Sequence, residues 1–184
     1  MFPAAKAEFT AAIQLDGNYA EAFNALGFTE ESLGDDAHAL QAYQRAIDIA
    51  ERQKTKFAAP YVNLGAYYNR EKKPELALEY ARKAIERDPK SDLGYYQAAR
   101  AHQIRNEWEQ AAEALRKASS INPSSAQYYY VLADVYRKLG KPKESLAALD
   151  TFQRLKRESD LVDNQVRDAR EASINDSKAV TKQR

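Results

Sequence analysis

Two histidines, His38 and His102, are where chemistry near neutral pH would begin, because imidazole titrates there. They stand far apart, and neither has a second ligand at metal spacing around it. The sequence has no cysteine, which excludes disulfides and thiolate metal sites. Paired acids could serve as proton donor and acceptor. Here Glu30–Glu31 and Asp35–Asp36 fall at helix ends and turns, where solvated or capping roles are expected instead. There is no glycine-rich phosphate loop, nucleophile elbow or HExxH. The expectation is a chain with no catalytic residue, no metal site and no cofactor.

Charge points to no polyanion. The chain carries 28 Lys plus Arg against 27 Asp plus Glu, and the basic residues alternate with acids, as in "EYARKAIERD" and "EALRKAS". Such interleaving pairs charges on a helix surface and does not build a nucleic-acid stripe. The segment 153–184, with eight basic and six acidic residues, is too weakly positive to alter that reading. "MFPAAKAEFTAAIQLDG" lacks the basic start and apolar run of a signal peptide. No stretch approaches the roughly 18–20 apolar residues of a membrane helix. A soluble chain is expected, cytoplasmic or exported, with no membrane insertion.

The elements come from composition and period. With 33 alanines against 15 leucines and few β-branched residues, the chain favours helices. Aromatic residues recur at Phe23, Tyr61, Tyr95 and Tyr129, at intervals of 38, 34 and 34 residues. Three residues after each stand Leu26, Leu64, Ala98 and Leu132; the next position is small each time, Gly27, Gly65, Ala99 and Ala133. Sixteen after the anchor stand Ala39, Ala77, Ala111 and Ser145, and twenty-three after it Ala46, Ala84, Ala118 and Phe152. Pro89 and Pro123 close the middle two units. Each unit reads as two apolar-periodic stretches, a first helix A and a second helix B, separated by turn residues such as Gly34, Asn106 and Gly140.

These columns match the pattern W-x₂-L-G-x₂-Y…A-x₃-F…P at a 34-residue period. Over about residues 1–157 the chain resembles the tetratricopeptide repeat family, as a bacterial-type array. The resemblance implies an all-α, right-handed superhelical solenoid of antiparallel helix pairs. It also implies that Gly65 faces helix B of its own repeat at Ala77, the two small residues bringing the helices closer than the usual 8–10 Å. Tyr68, Tyr136 and His102 share a buried column, so His102 stands in for a tyrosine and is not a ligand. Tyr61, Tyr95 and Tyr129 likewise belong to packing.

In this family helix A lines the concave wall through positions 2, 5, 9, 12 and 13. The resemblance therefore implies a partner-binding groove including Asn24, Phe28, Val62, Asn69, Tyr96, Arg100, Tyr130, Asp134 and Arg137. Spacings of three and four residues put each helix's share on one face. Of all the tyrosines, Tyr96 and Tyr130 fall clearly on this register. The carboxylate clamp of chaperone-binding members is not reproduced. In one frame its positions read Asn24, Phe28, Asn63, Leu93 and Gln97, of which Asn63 alone fits.

The expected organisation is a half repeat at 1–19 (helix B only), then repeats at 20–57, 58–91, 92–125 and 126–158. A capping helix and frayed tail follow at 159–184. The first full repeat carries four extra residues near Lys54–Phe57, which lengthen its helix B by one turn without changing the buried face. The chain starting within a repeat suggests a fragment of a longer array. Phe2, Phe9 and Ile13 look too apolar for an outer face, so self-association through the N-terminal edge, or burial of that edge by another part of the chain, is expected. "SDLVDNQVRDAREA" reads as a capping helix beginning at Ser159–Asp160, with fraying from about Ile174. The function expected is a non-catalytic scaffold binding a protein or peptide in the groove. The alternative is a structural spacer in a larger exported or envelope-associated multidomain protein; a third reading is an accessory segment of an enzyme.

Overall fold

The computed structural model describes the backbone of residues 2–182, and the side chains of 2–167 and of 170. Among the described residues the elements are helices alone: α1 (Phe2–Leu15), α2 (Ala20–Ser32), α3 (Asp36–Gln53), α4 (Ala59–Arg70), α5 (Pro74–Arg87), α6 (Asp92–Ile104), α7 (Trp108–Ile121), α8 (Ala126–Lys138) and α9 (Pro142–Lys182). The fold class is the all-α tetratricopeptide-type solenoid of antiparallel helix pairs. The chain divides into two compact units, Met1–Asn122 and Pro123–Arg184.

One turn geometry recurs four times. Each A helix ends in a residue with positive φ: Gly34, Lys72, Asn106 and Gly140. The following N–H reaches back to the last turn at 2.9 Å: Asp35 to the Glu30 carbonyl, Lys73 to Tyr68, Glu107 to His102 and Lys141 to Tyr136. This left-handed cap satisfies carbonyls that the helix end would otherwise leave open, and it turns the chain back on itself. Glycine adopts that backbone freely, and asparagine tolerates it. Lys72 does so with a φ of 56° and no help from its residue type.

In the first unit α2 packs on α3, α4 on α5, and α6 on α7, while α5 and α6 join successive pairs. The small columns are the reason the axes fit: Ala39, Ala77 and Ala111, and Ala46, Ala84 and Ala118, are fully buried. Tyr43, Ile47, Tyr61, Val62 and Leu64 build the main core around Ala39 and Ala84. A second cluster joins Ala20, Ile49 and Ala50 to Phe23 and Phe57. In the second unit α8 packs on α9, and Ser145 stands in the small column, its hydroxyl donating to the Ala133 carbonyl at 2.8 Å.

The glycine position separates into two cases. A Cβ at Gly27 would lie 2.7 Å from the ring of Tyr43, which is fully buried. At Gly65 the nearest atoms to such a Cβ would be Gln97 Cβ at 3.4 Å and the Ala77 carbonyl oxygen at 3.6 Å, ordinary contacts. Gly65 therefore does face Ala77, but the gap admits a methyl group. The difference comes from the partner helix, where the position of Tyr43 is held by Ala81 in the next repeat.

Two sequence expectations are corrected here. Glu30 and Glu31 are not solvated. Glu30 is 4% exposed and pairs with Lys6 of α1 at 2.9 Å. It occupies the column of Tyr68, His102 and Tyr136. Glu31 accepts from the Tyr43 hydroxyl at 2.8 Å and pairs with Arg70. Nor does a separate helix begin at Ser159. Helix α9 runs unbroken from Pro142 to Lys182, past both Ser159 and the expected fraying point at Ile174. The prolines that follow α5 and α7 have no counterpart, since Arg157 holds that column and no glycine or proline follows Pro142. Gln183 and Arg184, at the end of the expected tail, lie outside the described residues.

Helix α3 has 18 residues against 14 in α5 and 14 in α7, an extra turn. It ends at Lys54, whose φ of 55° is left-handed. Its end is tied to the loop between α1 and α2 by Arg52 and Gln53, which donate to the Asn18 side chain and carbonyl at 3.2 and 3.0 Å.

Candidate functional site

Helices α2, α4 and α6 are joined by side chains at the register assigned to the groove. Asn63 of α4 donates to Asn24 of α2 at 2.9 Å. Asn69 of α4 donates to the Gln97 carbonyl and side-chain oxygen of α6 at 2.9 and 3.0 Å. Arg70 pairs with Glu31 of α2 and with Asp36 of α3, the latter at 3.2 Å. These bridges place the polar edges of the three A helices side by side, and they hold Asn63, the one residue matching the carboxylate clamp.

The expected site residues fall into three groups. Phe28 and Arg100 are exposed, and Arg100 has no ion-pair partner among the described residues. Asn24 and Asn69 are half-buried and bonded as above. Val62 and Tyr96 are buried, Val62 within the main core, so they back the surface and do not project from it. In the second unit Tyr130 is exposed, with its ring 5.3 Å from that of Phe152, while Asp134 pairs with Arg137. Tyr96 and Tyr130 thus share a register position and differ in exposure.

Two acceptors at this register stand out. The side-chain oxygens of Asn69 and Gln103 are buried and have no hydrogen-bond partner among the described residues. They occupy the same position on α4 and α6, 34 residues apart. Asn69 was legible in the groove register, but the unmet oxygens were not, because they depend on neighbouring helices.

Both histidines are hydrogen-bonded to an acid. His102 Nδ1 lies 2.7 Å from Glu107, and His38 Nδ1 lies 2.7 Å from Asp35, which also caps α3 by accepting from the His38 N–H. The hydrogen bond from His102 holds the Glu107 carboxyl below its usual range, and that from His38 does the same for Asp35. Burial, then Glu31, pushes the Tyr43 phenol well up. No group of histidines and acids among the described residues could hold a metal ion.

Residues 20–53 match the tetratricopeptide repeat family, over the pair α2 and α3. The chain carries tetratricopeptide repeats. Residues 70–152 match the family described as subunit 3 of the anaphase-promoting complex, or cyclosome. Among solved structures the chain is similar to MamA from Desulfovibrio magneticus RS-1, at 19% identity and a TM-score of 0.68, over 86% of this chain and 88% of that one. It is also similar to the anaphase-promoting complex hetero-tetramer Cut9–Hcn1, at 19% identity and a TM-score of 0.72, over 84% of this chain and 30% of that one. A third is YrrB, at 17% identity and a TM-score of 0.61, over 90% and 84%. No curated protein matches by sequence. At these identities the similarity is one of fold.

Proposed function

We propose that this chain is a non-catalytic scaffold that binds a protein or peptide segment on the groove register of its A helices. Asn24, Phe28, Asn69 and Arg100 contact the partner in the first unit, with Val62 and Tyr96 as the packed layer beneath. Tyr130, Asp134 and Arg137 offer the same register on α8. The observation that carries the proposal is the pair of unmet amide oxygens on Asn69 and Gln103. A buried acceptor without a donor costs about 1–3 kcal/mol. An extended peptide presents backbone N–H donors at regular spacing, and a small side-chain rotation brings each oxygen to one. Phe28 supplies an apolar anchor and Arg100 an unpaired cation, the residue types that dominate binding energy. YrrB, of the same fold, is described as having an unusual peptide-binding site.

The test is affinity capture with the purified chain, followed by calorimetry with the partner found. The double variant Phe28→Ser with Arg100→Glu should weaken binding at least about tenfold, since such anchors are often worth 2 kcal/mol or more. Both side chains are exposed, so the melting temperature should not move. A partner retained by this variant and by Asn69→Ala would favour the spacer role.

The proposal extends to self-association through α1. No residue of α1 is buried, and Phe2 is 45% exposed. The sedimentation coefficient should rise with concentration, and Phe2→Ser should abolish the rise; a concentration-independent value in the unaltered chain would remove this part.

A further inference from the structure

The four residues that interrupt the 34-residue spacing build a hollow of about 500 Å³ between the end of α3, the start of α4 and the last turns of α5. It lies apart from the groove register. The inserted stretch is held down at alternate residues. The Thr55 N–H donates to the Ala50 carbonyl at 3.1 Å, the Thr55 carbonyl accepts from Arg87 at 3.3 Å, and Phe57 packs into the cluster of Ile49 and Ala50. Lys54 and Lys56 flank Thr55. Both are exposed, both line the hollow, and neither has an ion-pair partner among the described residues.

The other charges of the hollow are already matched. Arg87 lies 3.6 Å from Glu51 and 3.4 Å from the Tyr61 hydroxyl, which itself donates to Glu51 at 2.7 Å. Lys83 pairs with Glu79 at 2.7 Å, and Glu86 with Arg82 at 2.5 Å. The two unpaired lysines are therefore the net charge of the hollow, and the insertion put them there. The linker after α5 carries one lysine, Lys90, where this one carries two.

We infer that this hollow is a second binding site, specific to an acidic peptide segment presented in extended form. Side chains two residues apart on an extended chain are spaced by about 7 Å, which suits carboxylates reaching Lys54 and Lys56 together. The Glu51 and Glu86 carboxylates in the lining disfavour an anion as densely charged as polyphosphate. Arg87, held by Thr55 and Tyr61 and paired with Glu51, keeps the lining in place.

The test uses the full chain and a fluorescein-labelled octaglutamate peptide, with octaglutamine as control, followed by fluorescence anisotropy at low salt. Saturable binding of octaglutamate alone is expected, weakening as salt rises. Lys54→Glu with Lys56→Glu should reduce it by at least about tenfold, while Phe28→Ser leaves it unchanged. Lys54→Gln with Lys56→Gln should give an intermediate loss, and circular dichroism should show all variants folded. Amide NMR shifts on titration should centre on Thr55, Tyr61 and Arg87. Binding that survives the charge reversal, or no binding by the unaltered chain, overturns the inference. So does displacement of those NMR shifts by inorganic phosphate with no response to octaglutamate, which would make the hollow a small-anion site. The groove proposal is untouched by any of these outcomes, because its variants are read with a different ligand.

Discussion

Gly27 and Gly65 carry the same letter in the same column, and their surroundings predict opposite substitutions. Gly27→Ala drives a methyl group into the Tyr43 ring and should cost about 1–3 kcal/mol by overpacking. Gly65→Ala meets only ordinary contacts and should stabilise by about 0.5–1 kcal/mol, the usual helix-interior gain over glycine. Urea denaturation of the two variants checks both signs. Leucine at Gly65 would still overfill the space before Gln97 and the Ala77 carbonyl. Lys72→Gly should gain up to about 1 kcal/mol, because glycine removes the left-handed strain at φ 56°; a loss in the same assay would mean the lysine side chain makes a compensating contact. Glu107 supplies the pH dependence. Its carboxyl is held below the ordinary 4.5 by the His102 hydrogen bond, so it contributes stability above the unfolded value and loses it as pH falls through the folded one. The stability difference between the unaltered chain and Glu107→Gln should therefore be present near pH 7 and be lost as pH falls below the ordinary carboxylate range. None of these environments is written in the residue types themselves. Glycine signals that small is allowed, and only Tyr43 against Ala81 says where small is required.

Helix lengths follow from where the chain places its terminators. Pro89 and Pro123 stand two residues beyond the ends of α5 and α7, and α9, lacking that proline, continues to Lys182. Arg157→Pro would remove a helix hydrogen bond and clash with the preceding turn. The expected result is a lower helical signal at 222 nm and faster proteolysis beyond residue 157, with the melting of the repeats unchanged. An unaltered proteolysis pattern would mean that α9 is already broken in solution. The turn before α9 was legible from Gly140, and the extra turn of α3 from the four added residues. The continuity past Ser159 was not, because a Ser-Asp pair marks a helix start only where something upstream has ended the previous helix. Exposure at the groove register was also hidden. Tyr96 and Tyr130 occupy one position by period, but burial is set by neighbouring elements, and a repeat pattern contains no information on how those differ between repeats.

The burial pattern of the first unit predicts a gradient of local stability. Tyr43, Ile47, Leu64 and Ala84 concentrate the core on α3, α4 and α5, whereas α1 buries no residue and is tied across by the Lys6–Glu30 pair. Amide exchange should be slowest in α3 to α5 and faster by roughly a hundredfold in α1, since local opening costs scale with buried contacts. Uniform protection would indicate that α1 is covered in solution, which the concentration dependence of sedimentation would then explain. The period of 34 residues announced the helix pairs because each pair repeats one packing problem. It could not announce the hollow at Lys54 and Lys56, which exists where the period fails.

The contact between Gly27 and Tyr43 also makes exchange between repeats directional. A helix A bearing glycine would accept a helix B of any of these repeats, since it offers space whether or not the partner fills it. A helix B bearing Tyr43 accepts only a glycine opposite. Joined to a helix A like α6, where Ala99 holds the position, the tyrosine would be forced off its seat and its bond to Glu31 lost. In chimeras assembled from these segments, α2 should be a universal donor and α3 a restricted one, so recombination within such arrays would proceed more readily in one direction than the other.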